Sequence, residues 1–227
     1  MNDTSGVQCV GIILDGNRRW AKARGLPTLE GHRAGMMEKL TEATRFVRAS
    51  GVTHLVVYAF STENWNRKKE EVSHLMSLFH ESIQTQMKKL GEEGIRVCFV
   101  GQRERFSPDL QQAMSDVEKE TRQNDPFTLW VCLSYGGRAE IAMAARAATK
   151  EGEVTEESLS AHLWTHGMPD PDIIIRTGGE KRLSNFLTWQ SIYSELFFTD
   201  TFWPDFSKEE FDSILAEFAA RERRRGK

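Results

Sequence analysis

The chain has 227 residues, enough for one large α/β domain around a substantial core, with two domains the less favoured reading. Its 28% charged and 39% apolar residues mark a globular rather than a disordered chain, and a net charge of -3 argues against a dedicated nucleic-acid binder. Cys9, Cys98 and Cys132 lie far apart in apolar runs, with neither metal nor disulfide spacing, and no stretch approaches the roughly 18 apolar residues of a membrane span.

Strand and helix patterns alternate along the chain. Residues 10–14 form a short apolar run that reads as a buried strand with Asp15 at its end. Gly16 then frees the backbone, Asn17 and Arg19 offer donors, and Trp20 opens a basic segment. Residues 31–49 have helical spacing, and Gly51 ends that helix. Residues 52–60 read as a second strand and residues 70–90 as a long helix with Val72, Met76, Phe79, Ile83, Met87 and Leu90 along one face. A strand over 95–100, a helix over 108–121 with Pro108 at its start, and a strand over 127–133 follow. Helices over 140–150 and 156–164, strands over 172–175 and 195–198, and a helix over 208–223 complete the chain. The alternation predicts a single α/β domain over residues 1–227, with a mostly parallel central sheet of about six strands flanked by helices. Residues 1–8 and 222–227 are expected as flexible tails. With no signal-peptide pattern, the expected location is cytoplasmic, with scope for peripheral work at the inner membrane face.

Polar residues gather at the strand ends. In open α/β sheets that is where ligands bind, so Asp15 stands where chemistry is expected, and a lone carboxylate among glycines and arginines suits a divalent cation on a polyphosphate. A strand with a capped turn explains Asp15-Gly16-Asn17 equally well when taken alone. Strand two runs into Ser61-Thr62-Glu63-Asn64-Trp65-Asn66-Arg67, where a capped helix start accounts for the small residues but not for Trp65 with Arg67. Strand four ends at Tyr135-Gly136-Gly137-Arg138, which a tight βα turn explains. The fifth strand ends in Arg176-Thr177-Gly178-Gly179, followed by Arg182, Leu183 and Ser184. Two arginines and a serine around a Gly-Gly turn form an anion-site candidate, with a solvated basic loop as the alternative. His32 opens a helix behind the basic segment, in a structural or an anion-facing role. There is no P-loop, no dinucleotide fingerprint, no Cys/His cluster and no Gly-x-Ser-x-Gly elbow.

Taken together, Asp15-Gly16-Asn17-Arg18-Arg19-Trp20-Ala21, Gly31-His32-Arg33-Ala34-Gly35, Tyr58 to Arg67, Tyr135 to Arg138, Arg176 to Glu180 and Arg182 to Phe186 occur in this order. With Trp189-Gln190, Tyr193 to Leu196 and Trp203 to Phe206, they resemble the cis-prenyltransferases, and bacterial undecaprenyl diphosphate synthases most of all. The resemblance covers residues 10–226. It implies sequential addition of isopentenyl diphosphate to an allylic diphosphate such as farnesyl diphosphate, a Mg²⁺ requirement, a homodimer, and an elongated hydrophobic tunnel for the product. It also implies a transient membrane-surface contact for product release.

By the same resemblance, Asp15 carries the magnesium, with Glu195 assisting at the metal or the second substrate. Gly16, Asn17, Arg18, Arg19 and Trp20 attend the allylic diphosphate, with His32 and Arg67 nearby. Arg176, Arg182, Leu183 and Ser184 hold the isopentenyl diphosphate. Ser61 and Asn64 belong to the proton-loss step, beside Phe60 and Trp65, and Ser61, Thr62, Glu63 and Trp65 are expected at the substrates; an amide is a poor base, so the released diphosphate is the better proton acceptor. Arg224-Arg225-Gly226 matches a C-terminal Arg-x-Gly ending that reaches a partner subunit's site. The sequence departs from the family pattern at Cys9, Leu14, Thr28, Lys68 and Ser134; Thr28, where an arginine is frequent, removes one expected diphosphate contact. A phosphohydrolase of the haloacid dehalogenase type would need an aspartate at position 17, where Asn17 stands. A non-catalytic partner subunit would lack the motif residues that are present here.

Overall fold

The computed structural model describes residues 6–221. The chain runs β1 (Cys9–Ile13), α1 (Asn17–Ala23), α2 (Thr28–Arg33), a π-helical stretch (Ala34–Lys39) and α3 (Leu40–Ala49). It continues through β2 (His54–Ser61), a 3₁₀ turn (Thr62–Asn66), α4 (Lys69–Ser82), a second π-helical stretch (Ile83–Met87), α5 (Lys88–Glu92) and β3 (Arg96–Val100). Then come α6 (Pro108–Thr121), β4 (Thr128–Tyr135), α7 (Gly137–Glu151), α8 (Glu156–Ala161), β5 (Ile173–Arg176), β6 (Glu195–Phe198) and α9 (Lys208–Ala220).

The six strands form one sheet in the order β3-β4-β2-β1-β5-β6, and every pairing is parallel. Both faces are buried, as parallel sheets require, so the strands are apolar throughout and alternate residues feed opposite layers. Val10, Ile12, Leu55, Val57, Leu129 and Val131 join the larger core beneath α3, α4, α6 and α9. Cys9, Ile13, Val56, Tyr58, Trp130 and Cys132 face a second cluster centred on Tyr135 and Phe186. Gly11 belongs to this packing, because a Cβ there would lie 3.1 Å from the Phe186 ring.

Local chemistry sets the helix starts. Ser107 accepts from the Leu110 N–H at 3.4 Å ahead of Pro108, Thr155 and Ser158 form a capping box, and Ser207 accepts from the Glu210 N–H at 3.2 Å. The helix expected over 31–49 begins three residues earlier, at Thr28, since Pro27 supplies a fixed turn before it. The basic segment after Asp15 is itself a helix, α1, too short to show an apolar period. The long helix expected over 70–90 is interrupted by the Ile83–Met87 π stretch, and the one expected over 156–164 stops at Ala161. Val7 is buried and the Gln8 N–H donates to Asp172 at 2.7 Å, so the chain is already tied down within the stretch read as a tail. Among the described residues, no helix is long and apolar enough to cross a membrane.

Topology decides where a site can form. The chain leaves β1 for β2 on one side and returns to β5 on the other, which opens a crevice beyond the carboxyl ends of these strands. Gly16 makes the exit from β1, at φ +106°, and a Cβ there would come within 2.7 Å of the Phe202 ring and 2.9 Å of its Cα. Gly16→Ala should therefore lower the unfolding free energy by about 2–4 kcal/mol, the sum of left-handed strain and overpacking. Gly25→Asn, at φ +66° with open space around an added Cβ, should change it by less than about 0.5 kcal/mol. Urea unfolding reads both; equal responses would contradict the Phe202 contact.

Candidate active site

Asp15 follows β1, Arg176 closes β5, and Ile13 pairs with Arg176 in the register of the two strands. Asp15 Oδ2 accepts from Arg176 Nη2 at 2.9 Å, while Oδ1 accepts from the Gly16 N–H at 2.6 Å and lies 3.2 Å from Arg19 Nη2. The Asp15 N–H donates to Thr177 Oγ1 at 3.0 Å, and that hydroxyl donates to the Asp15 carbonyl at 2.7 Å. Arg176 is buried, its Nη1 donating to the Arg182 carbonyl (2.5 Å) and to Ser184 Oγ (2.7 Å). Its Nε has no hydrogen-bond partner among the described residues.

These groups border a cleft of ≈ 790 Å³. Arg18, Arg19, Lys22, Arg67, Arg176 and Arg182 line it against a single carboxylate, Asp15, so the cleft is strongly positive in a mildly acidic chain. Asn17, Thr28, His32, Tyr58, Ser61, Asn64 and Ser184 complete the polar lining, and Leu26, Ala59 and Leu75 give it an apolar side. Helix α1 brings Arg18, Arg19 and Lys22 to one face, at i, i+1 and i+4. Its first internal bond is Trp20 N–H to Gly16 O at 2.8 Å, so the amides of residues 17–19 precede the helical ladder.

His32 is buried beside Arg67. Burial, followed by repulsion from Arg67, pushes its imidazole down to about 4, so it is neutral at pH 7. Glu71 draws the two together: Arg67 Nη1 lies 3.1 Å from Glu71 Oε1, and His32 Nε2 lies 3.5 Å from the same oxygen. The latter separation is too long for a good hydrogen bond, and Nε2 is left without a partner among the described residues.

Several residues expected at the substrates are turned to other work. Trp20 Nε1 donates to Asp205 at 2.7 Å, with the Arg24 guanidinium 4.4 Å from its ring centroid, and the side chain is absent from the lining. Trp65 donates to Ser134 Oγ at 2.9 Å and packs on Phe60 and Phe106, supporting the loop from behind. Thr62 and Glu63 are hydrogen-bonded to each other, Glu63 is also bound by Asn185, and Leu183 packs into the second cluster; none of the three lines the cleft. Asn17 lines it, but its side-chain donor goes to the Leu14 carbonyl at 3.1 Å, fixing the turn. The Gly178 and Gly179 amides donate to Thr201 and Thr199 carbonyls, both at 2.8 Å, and a Cβ on Gly178 would lie 3.1 Å from the Asp15 carbonyl carbon. That turn packs on Asp15 rather than facing an anion. Asn64 Oδ1 accepts from the Ser61 N–H at 3.1 Å, so its NH₂ is what it offers the cleft.

Glu195 is not brought to Asp15 within this chain. It opens β6 opposite Ile173, at the far end of the strands, and its carboxylate pairs with Arg221 at 2.7 Å. The Arg224-Arg225-Gly226 ending lies outside the described residues. Of the apolar face read over residues 70–90, Phe79, Ile83, Met87 and Leu90 are packed in the main core, and it is Leu75 that borders the cleft. Lys22 and Leu75 escaped the sequence reading because each sits on a helix whose cleft-facing side cannot be told from spacing. Tyr58 escaped it because it looks like an ordinary strand residue; its hydroxyl donates toward the carbonyls of Tyr135 (3.2 Å) and Ser184 (3.3 Å).

No group of three or more described His, Cys, Asp or Glu residues can cage a metal. One carboxylate beside a cationic cleft fits Mg²⁺ that arrives with a substrate's phosphates, because that ion keeps few protein ligands.

A family model described as "Putative undecaprenyl diphosphate synthase" matches residues 13–226. The isoprenyl transferase of Neisseria gonorrhoeae is 45% identical, covering 96% of this chain and 88% of its own. That of Aquifex pyrophilus is 46% identical, covering 96% and 95%. Lavandulyl diphosphate synthase from Lavandula x intermedia, solved with dimethylallyl diphosphate, superposes with a TM-score of 0.93 at 32% identity over the whole of both chains. A probable undecaprenyl diphosphate synthase from Campylobacter jejuni gives a TM-score of 0.84 at 30% identity, over 98% of this chain and 100% of its own. The chain therefore belongs to the undecaprenyl diphosphate synthase family and is an enzyme of the cis-prenyltransferase class.

Proposed function

We propose that this enzyme, with Mg²⁺, adds isopentenyl diphosphate repeatedly to an allylic diphosphate, farnesyl diphosphate as starter, to make a long-chain cis-polyprenyl diphosphate. Undecaprenyl diphosphate, a glycan-carrier precursor for cell-wall synthesis, is the product class intended. The observation that carries this reading is one carboxylate, Asp15, facing five arginines and a lysine in a single cleft. Two diphosphates need that much positive charge, and C–O ionisation needs it focused on the leaving group.

The residues divide by position. Gly16 to Arg19, His32 and Arg67 attend the allylic diphosphate; Arg176, Arg182 and Ser184 attend the isopentenyl diphosphate. The lavender enzyme's bound dimethylallyl diphosphate supports an allylic diphosphate as the ligand class. Asp15 would hold Mg²⁺, which when bound supplies positive charge to the departing diphosphate. Arg19 and Arg67 neutralise the same charge from the protein side. Arg176 orients Ser184 while buried itself, so the second diphosphate meets a prearranged hydroxyl. Asn64, its acceptor oxygen taken, steadies substrate rather than removing a proton, and the released diphosphate accepts that proton.

The product grows from the apolar side of the cleft at Ala59 and Leu75 into a hydrophobic tunnel. Each buried CH₂ adds about 0.8 kcal/mol of binding, so release slows as the chain lengthens and is assisted at a membrane face, where a cytoplasmic enzyme makes transient contact. A homodimer is supported by Ile192 and Tyr193, 74% and 71% exposed, just ahead of edge strand β6.

Incubation with labelled isopentenyl diphosphate, farnesyl diphosphate and Mg²⁺, followed by sizing of the product, tests the reading. A chelator-sensitive ladder ending in a long polyprenol supports it; no incorporation, or incorporation untouched by chelator, overturns it. Detergent or vesicles should raise steady-state turnover, and an unchanged rate would contradict slow release. Arg182→Ala should raise the KM for isopentenyl diphosphate about tenfold or more, as expected for a lost charged hydrogen bond. His32 predicts a pH effect on stability. The unfolded imidazole protonates near 6.5 and the folded one only near 4, so stability should fall as pH drops between those values. Denaturant midpoints across that range should fall less in His32→Gln than in the parent, and parallel curves would contradict the buried neutral imidazole.

A further inference from the structure

Three loops meet behind the cleft at Asn185. Its Nδ2 donates to Glu63 Oε1 at 2.9 Å, on the 3₁₀ turn that follows β2. Its Oδ1 accepts from the Arg138 N–H at 2.9 Å and its carbonyl from the Gly137 N–H at 2.8 Å, both at the start of α7. Next to it in the chain, Ser184 holds Arg176 through Oγ, and the Ser184 carbonyl accepts from Tyr58 OH at 3.3 Å. The backbone here is held in an uncommon shape, with φ of +49° at Ser184, +70° at Asn185 and +45° at Leu187. Non-glycine residues stay in that region only where surrounding contacts over-determine them. Space has been kept for the junction, because a Cβ on Gly136 would come within 2.7 Å of Asn185 Nδ2 and 2.6 Å of Thr62 Oγ1. Neither Glu63 nor Asn185 borders the cleft.

We infer that Asn185 is a positioning residue that fixes the loop carrying Ser61 and Asn64 relative to the loop carrying Arg182 and Ser184. The inference rests on the proposed assignment of those two loops to the reacting prenyl groups and to the isopentenyl diphosphate. Condensation joins carbons supplied by two separately held diphosphates, so the rate depends on the spacing between their holders more than on either affinity. A misplacement of about 1 Å can cost on the order of a hundredfold. Glu63, in this account, acts on the reaction through Asn185.

Asn185→Asp is nearly isosteric, keeps an acceptor for the Arg138 N–H and tolerates the left-handed backbone. It breaks one bond only, by setting a carboxylate against Glu63. Glu63→Gln added to it restores a bond of reversed polarity, from the Gln amide to the new carboxylate. The measurement is the single-turnover condensation rate with enzyme in excess over farnesyl diphosphate, so that product release does not mask the step. It is read with the half-saturating isopentenyl diphosphate concentration and the melting temperature.

Asn185→Asp should slow condensation about tenfold or more, leave half-saturation within about threefold and leave melting little changed, and the double variant should regain most of the rate. An unchanged rate, a rise in half-saturation alone, or a double variant no faster than the single overturns the inference. Asn185→Gly keeps the backbone shape without the side chain; it should show the same rate loss, and full activity in it overturns the inference as well. Arg182→Ala in parallel separates the two levels. If it leaves half-saturation unchanged, the assignment of the loops falls and the inference with it; if it raises half-saturation while Asn185→Asp condenses normally, only the role of Asn185 falls.

Discussion

The pair of charges between Asp15 and Arg176 holds the rest of the site in place. It joins the ends of two neighbouring parallel strands, with the Arg176 side chain only 6% exposed and that of Asp15 29%. A buried guanidinium is costly unless its hydrogens are met. Asp15, the Arg182 carbonyl and Ser184 Oγ meet those of its two Nη groups, with Nε alone left without a partner among the described residues, and in doing so they fold the loop after β5 back over the cleft. The pair also leaves Asp15 partly neutralised by Arg176 and Arg19 before any ligand arrives. In the proposed reaction, diphosphate oxygens would offer those guanidiniums new acceptors and free the carboxylate for a cation.

Sheet order explains why such a pair forms where it does. With β1 between β2 and β5, each strand end delivers polar groups to the same crevice: Asp15 from just beyond β1, Ser61 from the end of β2 with Asn64 after it, and Arg176 from the end of β5. The apolar alternation of the strands anchors these ends from both faces, so the polar edge rests on two cores rather than one. The Gly178-Gly179 turn and Thr177 wrap the Asp15 backbone, which fixes the carboxylate by its main chain as well as by its side chain.

Much of this was legible in the sequence, because strand ends announce themselves as apolar runs that break into polar, glycine-rich segments. Asp15, Ser61, Arg176 and their neighbours were found in that way. The sense in which each side chain turns was not legible. Trp20 shares α1 with Arg18, Arg19 and Lys22, yet the helical period sends it outward with Arg24 to Asp205. Glu195 lies away from Asp15 in this chain for a different reason: it begins its strand, whereas Asp15 follows one, and in a parallel sheet those positions lie at opposite edges. The Gly-Gly turn looked like a phosphate cradle because glycine signals close approach without naming the partner, which here is the Asp15 backbone. Asn185 stands within the Arg182 to Phe186 motif, but no role for it could be read there, since its side chain bonds to residues 47 and 122 positions away.

The most direct test of the central claim is calorimetric binding of a non-hydrolysable farnesyl diphosphate analogue to the parent and to Asp15→Asn, with and without Mg²⁺. If Asp15 carries the cation to the allylic diphosphate, Mg²⁺ tightens binding in the parent and does nothing in Asp15→Asn, while the metal-free affinities stay similar. Equal tightening by Mg²⁺ in both proteins would contradict the account.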